Sequence, residues 1–203
     1  MKPRNSANVA DIRGVRWIPM SDPAALVPGR DCAGCTMCCK IMNVEAIAKP
    51  RMKWCPHCDI GKGCKIYDTR PEACRLFYCH YRTEAGIGEH WKPSHSRMML
   101  TYNPDAQRLN IYVDPDRAGA WRKEPYYSDL KTWARNAVAS KSQIAVFVGD
   151  DVTMILPDRD KPMGRVRPDQ HLRVVMKSGP RGPEYDVVLL DANDPLLNVP
   201  QIR

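Results

Sequence analysis

The sequence predicts an α+β protein in which a loop-rich cysteine-cluster module packs on an antiparallel sheet with one main helix. All nine cysteines lie between residues 32 and 79, where long periodic runs of apolar residues are missing. From residue 97 onward, apolar and polar residues alternate, which is typical of half-buried strands. One later segment, residues 126–140, instead has its apolar residues at helical spacing.

These patterns divide the chain into four parts. We expect an extended N-terminal segment at 1–29, the cysteine-cluster module at 30–92, an antiparallel β-rich part at 93–193 with its helix near 126–140, and a tail at 194–203. The first part lacks the apolar core of a signal peptide, and no run approaches the roughly 18 apolar residues of a membrane span. The sequence therefore predicts a cytoplasmic protein with no membrane partner.

The charge balance indicates which partners the chain could attract. Lys and Arg number 31 against 23 Asp and Glu, a formal net charge of +8 that favours anionic partners, including nucleic acid. The basic residues are scattered without a run of five, so a solvated basic surface is the simpler interpretation. An odd number of cysteines in a reducing compartment favours metal or redox chemistry over structural disulfides.

The predicted elements follow in chain order. The module offers two short helices, one before Pro50 and one in residues 69–82 with Pro71 in its first turn. Residues 97–103 and 108–114 alternate around a turn and predict a hairpin. Further strands are predicted at 143–149, 152–156, 171–177 and 185–191. The helix near 126–140 would turn one apolar face to this sheet, formed by Tyr127, Leu130, Trp133, Ala134, Ala137 and Val138.

The spacing of the cysteines predicts metal ligands. Cys35-x2-Cys38 and Cys55-x2-Cys58 are separated by 16 residues, which fits a zinc template with two pairs of thiolates around one ion. A loop-rich segment that buries little core would also gain its stability from bound metal. The five further cysteines allow other pairings.

An iron–sulfur cluster is one of these alternatives. Cys32, Cys35 and Cys38 form C-x2-C-x2-C, the start of a ferredoxin-type run. Cys39 follows immediately, where such a run has a longer spacing, so a cluster here would need a distant cysteine to complete it.

The adjacent pair Cys38 and Cys39 predicts two metal sites. Successive side chains on a helical turn diverge by about 100°, so one ion would take Cys38 and a second ion Cys39. Eight thiolates satisfy about two tetrahedral zinc ions, with one cysteine in reserve. The candidate metal ligands are Cys32, Cys35, Cys38, Cys39, Cys55, Cys58, Cys64, Cys74 and Cys79.

The segments "CAGCTMCC" and "WCPHCDIGKGCKIYDTRPEACRLFYC" resemble a known bacterial family, the YkgJ-like cysteine-cluster proteins with a CxxCxxCC zinc- or iron-chelating domain. The resemblance covers residues 32–79 and implies chelation of zinc or iron without implying an activity. Cys58 lies outside the family pattern. The matching positions are Cys32, Cys35, Cys38, Cys39, Cys55, Gly63, Cys64, Ile66, Tyr67, Arg70, Pro71, Cys74, Arg75, Phe77 and Cys79.

Arg70 and Arg75 flank Cys74 within the matched segment. Given the resemblance, we expect both guanidinium groups to offset the negative charge of the thiolates and to donate N–H groups to sulfur.

Three alternatives stay open. An iron–sulfur redox protein or enzyme partner would use the same thiols. A nucleic-acid-binding module with structural zinc is less favoured, because most aromatic residues occupy core-like positions. A cysteine nucleophile would need a base among His57, His80, His90 and His95, and nothing in the sequence selects one pair. Whether the chain is an enzyme is left undecided.

Overall fold

A computed structural model describes residues 26–167, 169–180 and 182–198 of the chain. Most of the predicted N-terminal segment and half of the predicted tail therefore lie outside the described residues. The α-helices are α1 (Met37–Ile41), α2 (Glu72–Leu76), α3 (His80–Thr83), α4 (Pro93–Ser96) and α5 (Tyr126–Ala139). The strands are β1 (Cys58–Asp59), β2 (Gly63–Cys64), β3 (Met98–Asn103), β4 (Arg108–Val113), β5 (Gln143–Val148), β6 (Asp151–Ile155), β7 (Asp160–Arg165), β8 (His171–Gly179) and β9 (Gly182–Leu190).

The α+β class is confirmed, with a central sheet of strand order β3-β4-β5-β6-β7. The predicted β3–β4 hairpin forms with Met98 opposite Val113. The sheet is mixed rather than antiparallel throughout, because β4 and β5 run parallel with Ile111 beside Val146. A parallel pair needs a crossover connection, and the chain between these strands contains α5.

Helix α5 covers one face of this sheet with four of the six side chains that the sequence predicts, while Tyr127 and Val138 are half-buried. Its buried residues are Leu130, Trp133, Ala134 and Ala137, which repeat at intervals of three and four. The helix begins at Tyr126, with Pro125 at the N-cap position. Alternate strand residues complete the same core, among them Leu100, Leu109, Ile111, Ile144 and Val146.

The opposite face of β5 and β6 packs against a separate hairpin, β8–β9. Ala145 and Met154 point to this face and join Leu172 of β8 and Val187 of β9 in a second buried cluster. Because successive strand residues face opposite sides, β5 contributes to both cores at once.

The cysteine-rich part packs on β3 and β4. Met37 and Ile41 of α1 are buried against Met99. Tyr112 lies opposite Met99 in the hairpin and packs against the same cluster. Residues after Cys79 cross to the α5 side, where Tyr81 and Trp91 enter the main core. The cysteine-rich part is therefore anchored on both faces of one edge of the sheet.

A buried ion cluster fixes α1 to the end of β4. The Lys40 ammonium donates to Asp114 Oδ1 and to Asp116 Oδ2, each at 2.5 Å, and Arg97 Nη2 donates to Asp114 Oδ2 at 2.5 Å. The Asp114 side chain is 0% exposed and that of Lys40 is 5% exposed. Burial opposes charge on Asp114, but the hydrogen bonds from Lys40, the Asp116 amide and Arg97 outweigh it and lower the pKa of Asp114.

Among the helices described, none combines the length and apolar character that crossing a bilayer requires.

Candidate metal centre

The nine thiols are held by short elements and the loops between them. Cys38 and Cys39 lie in α1, Cys58 in β1, Cys64 in β2 and Cys74 in α2, Cys79 is the N-cap of α3, and Cys32, Cys35 and Cys55 lie in loops. Cys32 is exposed, Cys58 is buried and the others are half-buried.

Local hydrogen bonds bring distant cysteines onto α1. The amide of Cys55 donates to the carbonyl of Cys39 at 3.0 Å, which returns the chain to the helix after the loop that follows it. Cys58 then pairs with Cys64 across the two-stranded β1–β2 ribbon. The ribbon is tied to α1 because the Gly61 amide donates to the Thr36 hydroxyl at 3.2 Å.

Six thiols form what we call the larger sulfur group: Cys38, Cys39, Cys55, Cys58, Cys64 and Cys74. The Cys39 thiol lies within hydrogen-bonding reach of Cys38, and this contact, followed by burial, raises the pKa of Cys39. Burial raises the pKa of Cys58 to about 11, with the neighbouring thiols of Cys39 and Cys55 acting in the same direction. Burial likewise raises the pKa of Cys74, helped by Cys39, Cys55 and Cys64.

Three thiols form the smaller sulfur group: Cys32, Cys35 and Cys79. Burial raises the pKa of Cys79 to about 12, and the nearby thiols of Cys32 and Cys35 raise it further. Burial raises the pKa of Cys35, and the backbone amides of Met37 and Ser94 oppose this rise. Cys79 is 47 positions from Cys32, so tertiary structure brings this group together.

Cys38 stands between the two groups. It packs against the Met37, Ile41 and Met99 cluster, as Cys35 and Cys79 of the smaller group also do. Its thiol also acts on the ionisation of Cys39 in the larger group. One apolar cluster therefore supports members of both sulfur groups.

Crowded, partly buried thiols resist ionisation, because each thiolate would repel its neighbours in a poorly solvated site. A divalent cation reverses this preference, since it deprotonates coordinating thiols. Zinc bound here would therefore oppose the rise in pKa that burial causes at Cys35, Cys58, Cys74 and Cys79.

Cationic side chains face both sulfur groups. Lys49 is buried and interacts with four thiols of the larger group, while its ammonium donates to the carbonyls of Lys40, at 2.8 Å, and Met42. In the smaller group, Arg82 Nη1 lies 3.5 Å from Cys32 Sγ. Lys92 interacts favourably with ionised Cys35 and thereby opposes the rise in its pKa.

The two arginines that the sequence singles out differ in placement. Arg70 lies close enough to Cys74 to oppose the rise in its pKa, and its guanidinium stacks on Tyr67 with 3.7 Å to the ring centre. Arg75 is exposed at the end of α2. Sequence reasoning missed Lys49, Arg82 and Lys92, because no spacing rule links them to the cysteines.

The structure identifies polar neighbours of two of the histidines, and neither neighbour is a cysteine. His80 is buried, which lowers its pKa to about 4, and its Nδ1 lies 3.3 Å from the Thr83 hydroxyl. His90 Nε2 lies 2.7 Å from Asp129 Oδ2. These contacts give no support to a particular Cys–His pair.

Within the part of the chain that the structure describes, no group of three or more His, Cys, Asp or Glu side chains has the arrangement of a formed metal site. The thiols are gathered into two groups with cationic neighbours, so the donor chemistry fits a soft or borderline metal, but chelation would require the sulfurs to draw together.

No protein-family model, curated protein or solved structure matches the chain. The resemblance to the YkgJ-like cysteine-cluster family therefore stays a prediction that the motif alone supports.

Proposed function

We propose that this chain is a cytoplasmic, metal-binding cysteine-cluster protein of the YkgJ-like type, which holds about two zinc ions through the thiols of residues 32–79. The observation that carries the proposal is the gathering of nine thiols into two groups, with Cys35, Cys38 and Cys79 packed on one apolar cluster. Unrelated buried cysteines would have no reason to converge in this way.

The grouping suggests which thiols bind each of the two ions. Cys32, Cys35 and Cys79 would take Cys38 as the fourth ligand of one ion. The remaining five thiols exceed the four that a second tetrahedral ion needs, and Cys58 is the member outside the family motif. The second ion would therefore take Cys39, Cys55, Cys64 and Cys74.

The surroundings are suited to thiolates. Two zinc ions with eight thiolates carry excess negative charge, and the cations of Lys49, Arg70 and Arg82 lie where they offset it. Backbone amides directed at Cys35 stabilise the ionised sulfur in the same way. When bound, zinc would supply cross-links between short elements and no redox chemistry.

An iron–sulfur cluster is the second candidate, and one placement favours it. Cys79 lies beside Cys32 and Cys35 and so provides the distant cysteine that the C-x2-C-x2-C run lacks. These three thiols, with Cys38 as the fourth, would then hold a cluster instead of a zinc ion.

Elemental analysis of protein purified without oxygen distinguishes the two candidates. We expect a colourless protein with about two zinc ions per chain and no acid-labile sulfide. A brown protein that contains iron and sulfide would establish the iron–sulfur alternative. One zinc ion per chain would contradict the division into two groups, and a metal-free chain that refuses added zinc would reject the proposal.

A further inference from the structure

A cleft with a cavity volume of about 410 Å³ lies between the cysteine-rich part, the central sheet and the β8–β9 hairpin. Four arginines line it: Arg51, Arg108, Arg165 and Arg167. Phe147 contributes from β5, on the face of the sheet away from α5. A cleft of this size is within the range that binds small molecules in proteins.

Two of the arginines are held over neighbouring rings. The guanidinium carbon of Arg51 lies 5.5 Å from the ring centre of Tyr112, and that of Arg108 lies 5.7 Å from the ring centre of Phe147. Tyr112 and Phe147 are register partners on β4 and β5, and their rings stack with centres 4.9 Å apart. The stacked rings therefore connect the two arginines, and both arginines line the same cleft.

These two cations differ from their neighbours in having no carboxylate. Arg165 pairs with Asp150 at 2.9 Å, and Arg167 pairs with Asp169 at 3.1 Å. Among the residues described, no carboxylate lies within salt-bridge distance of Arg51 or Arg108.

The Arg108 side chain has a neutral partner instead: its Nε donates to Asn110 Oδ1 at 2.8 Å. Burial lowers the pKa of Arg108, but a guanidinium keeps its proton in proteins. The cleft thus holds two guanidinium groups, one of them partly desolvated, that pair with no carboxylate among the residues described. An anion bound in the cleft would offset their charge.

We infer that this cleft binds a small organic phosphate, a dianionic phosphate monoester whose phosphate is held by the carboxylate-free guanidinium groups of the lining. Guanidinium forks match phosphate oxygens with paired hydrogen bonds, and two unpaired cations match the charge of a monoester. The apolar wall, which includes Phe147, Val152 and Leu172, would contact the organic group. This site uses no cysteine and does not rest on the proposed metal binding.

Isothermal titration of the purified full chain with phenyl phosphate tests the inference. We expect a dissociation constant below about 1 mM, and weakening by about tenfold or more in Arg108→Gln, since a hydrogen bond to a charged group is lost. Arg108→Lys should lie between the two, because it keeps the charge but loses the fork.

Arg135→Gln is the matched control. It removes the same charge from an exposed residue of α5, on the other face of the sheet, and should change the affinity by less than about twofold. Arg51→Gln repeats the test from a different element if Arg108→Gln fails to fold. Equal weakening in the control, equal binding of benzyl alcohol, or binding of a single-stranded oligonucleotide without binding of phenyl phosphate would each overturn the inference.

Discussion

Asp114→Asn should destabilise the protein sharply, although it changes only one charge and hardly any volume. The carboxylate of Asp114 is fully buried and accepts from Lys40 and Arg97, both at 2.5 Å. Lys40 follows Cys39 directly in α1, so this carboxylate fixes the helix that carries the adjacent cysteines to the end of β4. Neutralising it leaves two cations without their shared partner.

The magnitude follows from burial. Removing one member of a buried ion pair costs about 3–5 kcal/mol. We expect the lower end, about 3 kcal/mol, because Lys40 keeps a second partner in Asp116 and the Arg97 side chain is 35% exposed. For a chain of this size, that loss lowers Tm by about 6–12 °C.

Urea and thermal unfolding followed by circular dichroism measure this effect, with Asp158→Asn as the control. Asp158 pairs with Arg159 at a similar distance, 2.6 Å, but its side chain is 55% exposed. An exposed pair contributes about 0–1 kcal/mol, so the control should unfold almost like the unmodified chain. Equal losses in the two variants, or a loss below about 1 kcal/mol in Asp114→Asn, would refute the argument from burial.

The pH dependence of the stability difference between the unmodified chain and Asp114→Asn gives a second check. The pKa of Asp114 is lowered in the folded protein, so its contribution is present above the unfolded value of about 3.9 and is lost as the pH falls through the folded value. Hydrogen bonds to Asp114 and Asp116 outweigh burial and raise the pKa of Lys40, so its contribution is lost only as the pH rises past about 10.4. The stability difference between the unmodified chain and Asp114→Asn should be constant between these limits and shrink outside them.

Two further predictions concern the metal. Cys79→Ser and Cys74→Ser should each lose about one zinc ion per chain while Cys58→Ser keeps both, and equal loss from Cys58→Ser would make that thiol a full ligand. Chelation under reducing conditions should speed hydrogen exchange across residues 53–76 but spare the strand amides near Ile111. Unchanged protection of residues 53–76 in the metal-free chain would exclude a structural role for the ion in the larger sulfur group.

Much of the sheet could be predicted from the sequence, because its strands alternate in polarity. The β3–β4 hairpin and β5 follow that rule, and α5 buries four of the six residues of its predicted apolar face. Strand β7 was not predicted, since its sequence, DKPMGR, contains proline and glycine and lacks alternation. It lies at the edge of the sheet because it pairs with β6. The sequence of the strand itself does not indicate that pairing.

The parallel pairing of β4 and β5 was also not predicted. Alternation looks the same in either direction, so only the length of the connection and its helix could have indicated a crossover. The predicted helix before Pro50 is reduced to a 3-10 turn, Glu45–Ile47, while α1 forms within the cysteine motif itself.

The sulfur groups were only partly predictable for a similar reason. Spacing of x2 indicates which cysteines are local neighbours, but Cys79 reaches Cys32 only through the fold. Lys49 enters the larger group because a turn pairs it with Val44, through amide–carbonyl bonds of 2.9 and 3.0 Å. A cation that such a turn positions has no characteristic spacing from the cysteines, so the sequence does not reveal it.

Hydrogen bonds that involve no metal hold together the chain segments that carry the smaller sulfur group. The Arg30 guanidinium donates to the carbonyls of Tyr81 at 2.6 Å, Glu84 at 2.8 Å and Ile87 at 2.6 Å. Arg82 returns a hydrogen bond of 3.3 Å to the carbonyl of Arg30. The chain before Cys32 is therefore tied to the chain after Cys79 by contacts that involve no metal.

Beyond α1, the larger sulfur group is held by hydrogen bonds of the Cys55 and Gly61 amides to α1 and its N-cap, with little buried side-chain packing. Between residues 51 and 76, all of which the structure describes, the only buried side chain is Cys58. Under the proposed function, an ion bound here must order the chain around it, so its binding free energy is also folding free energy. An ion bound by the smaller group would meet thiols whose chain segments are already tied together without metal, so the sulfurs would have to move less. The two sites should therefore differ in use. The ion of the larger group makes a permanent cross-link, whereas the ion of the smaller group can leave and rebind while the fold stays intact.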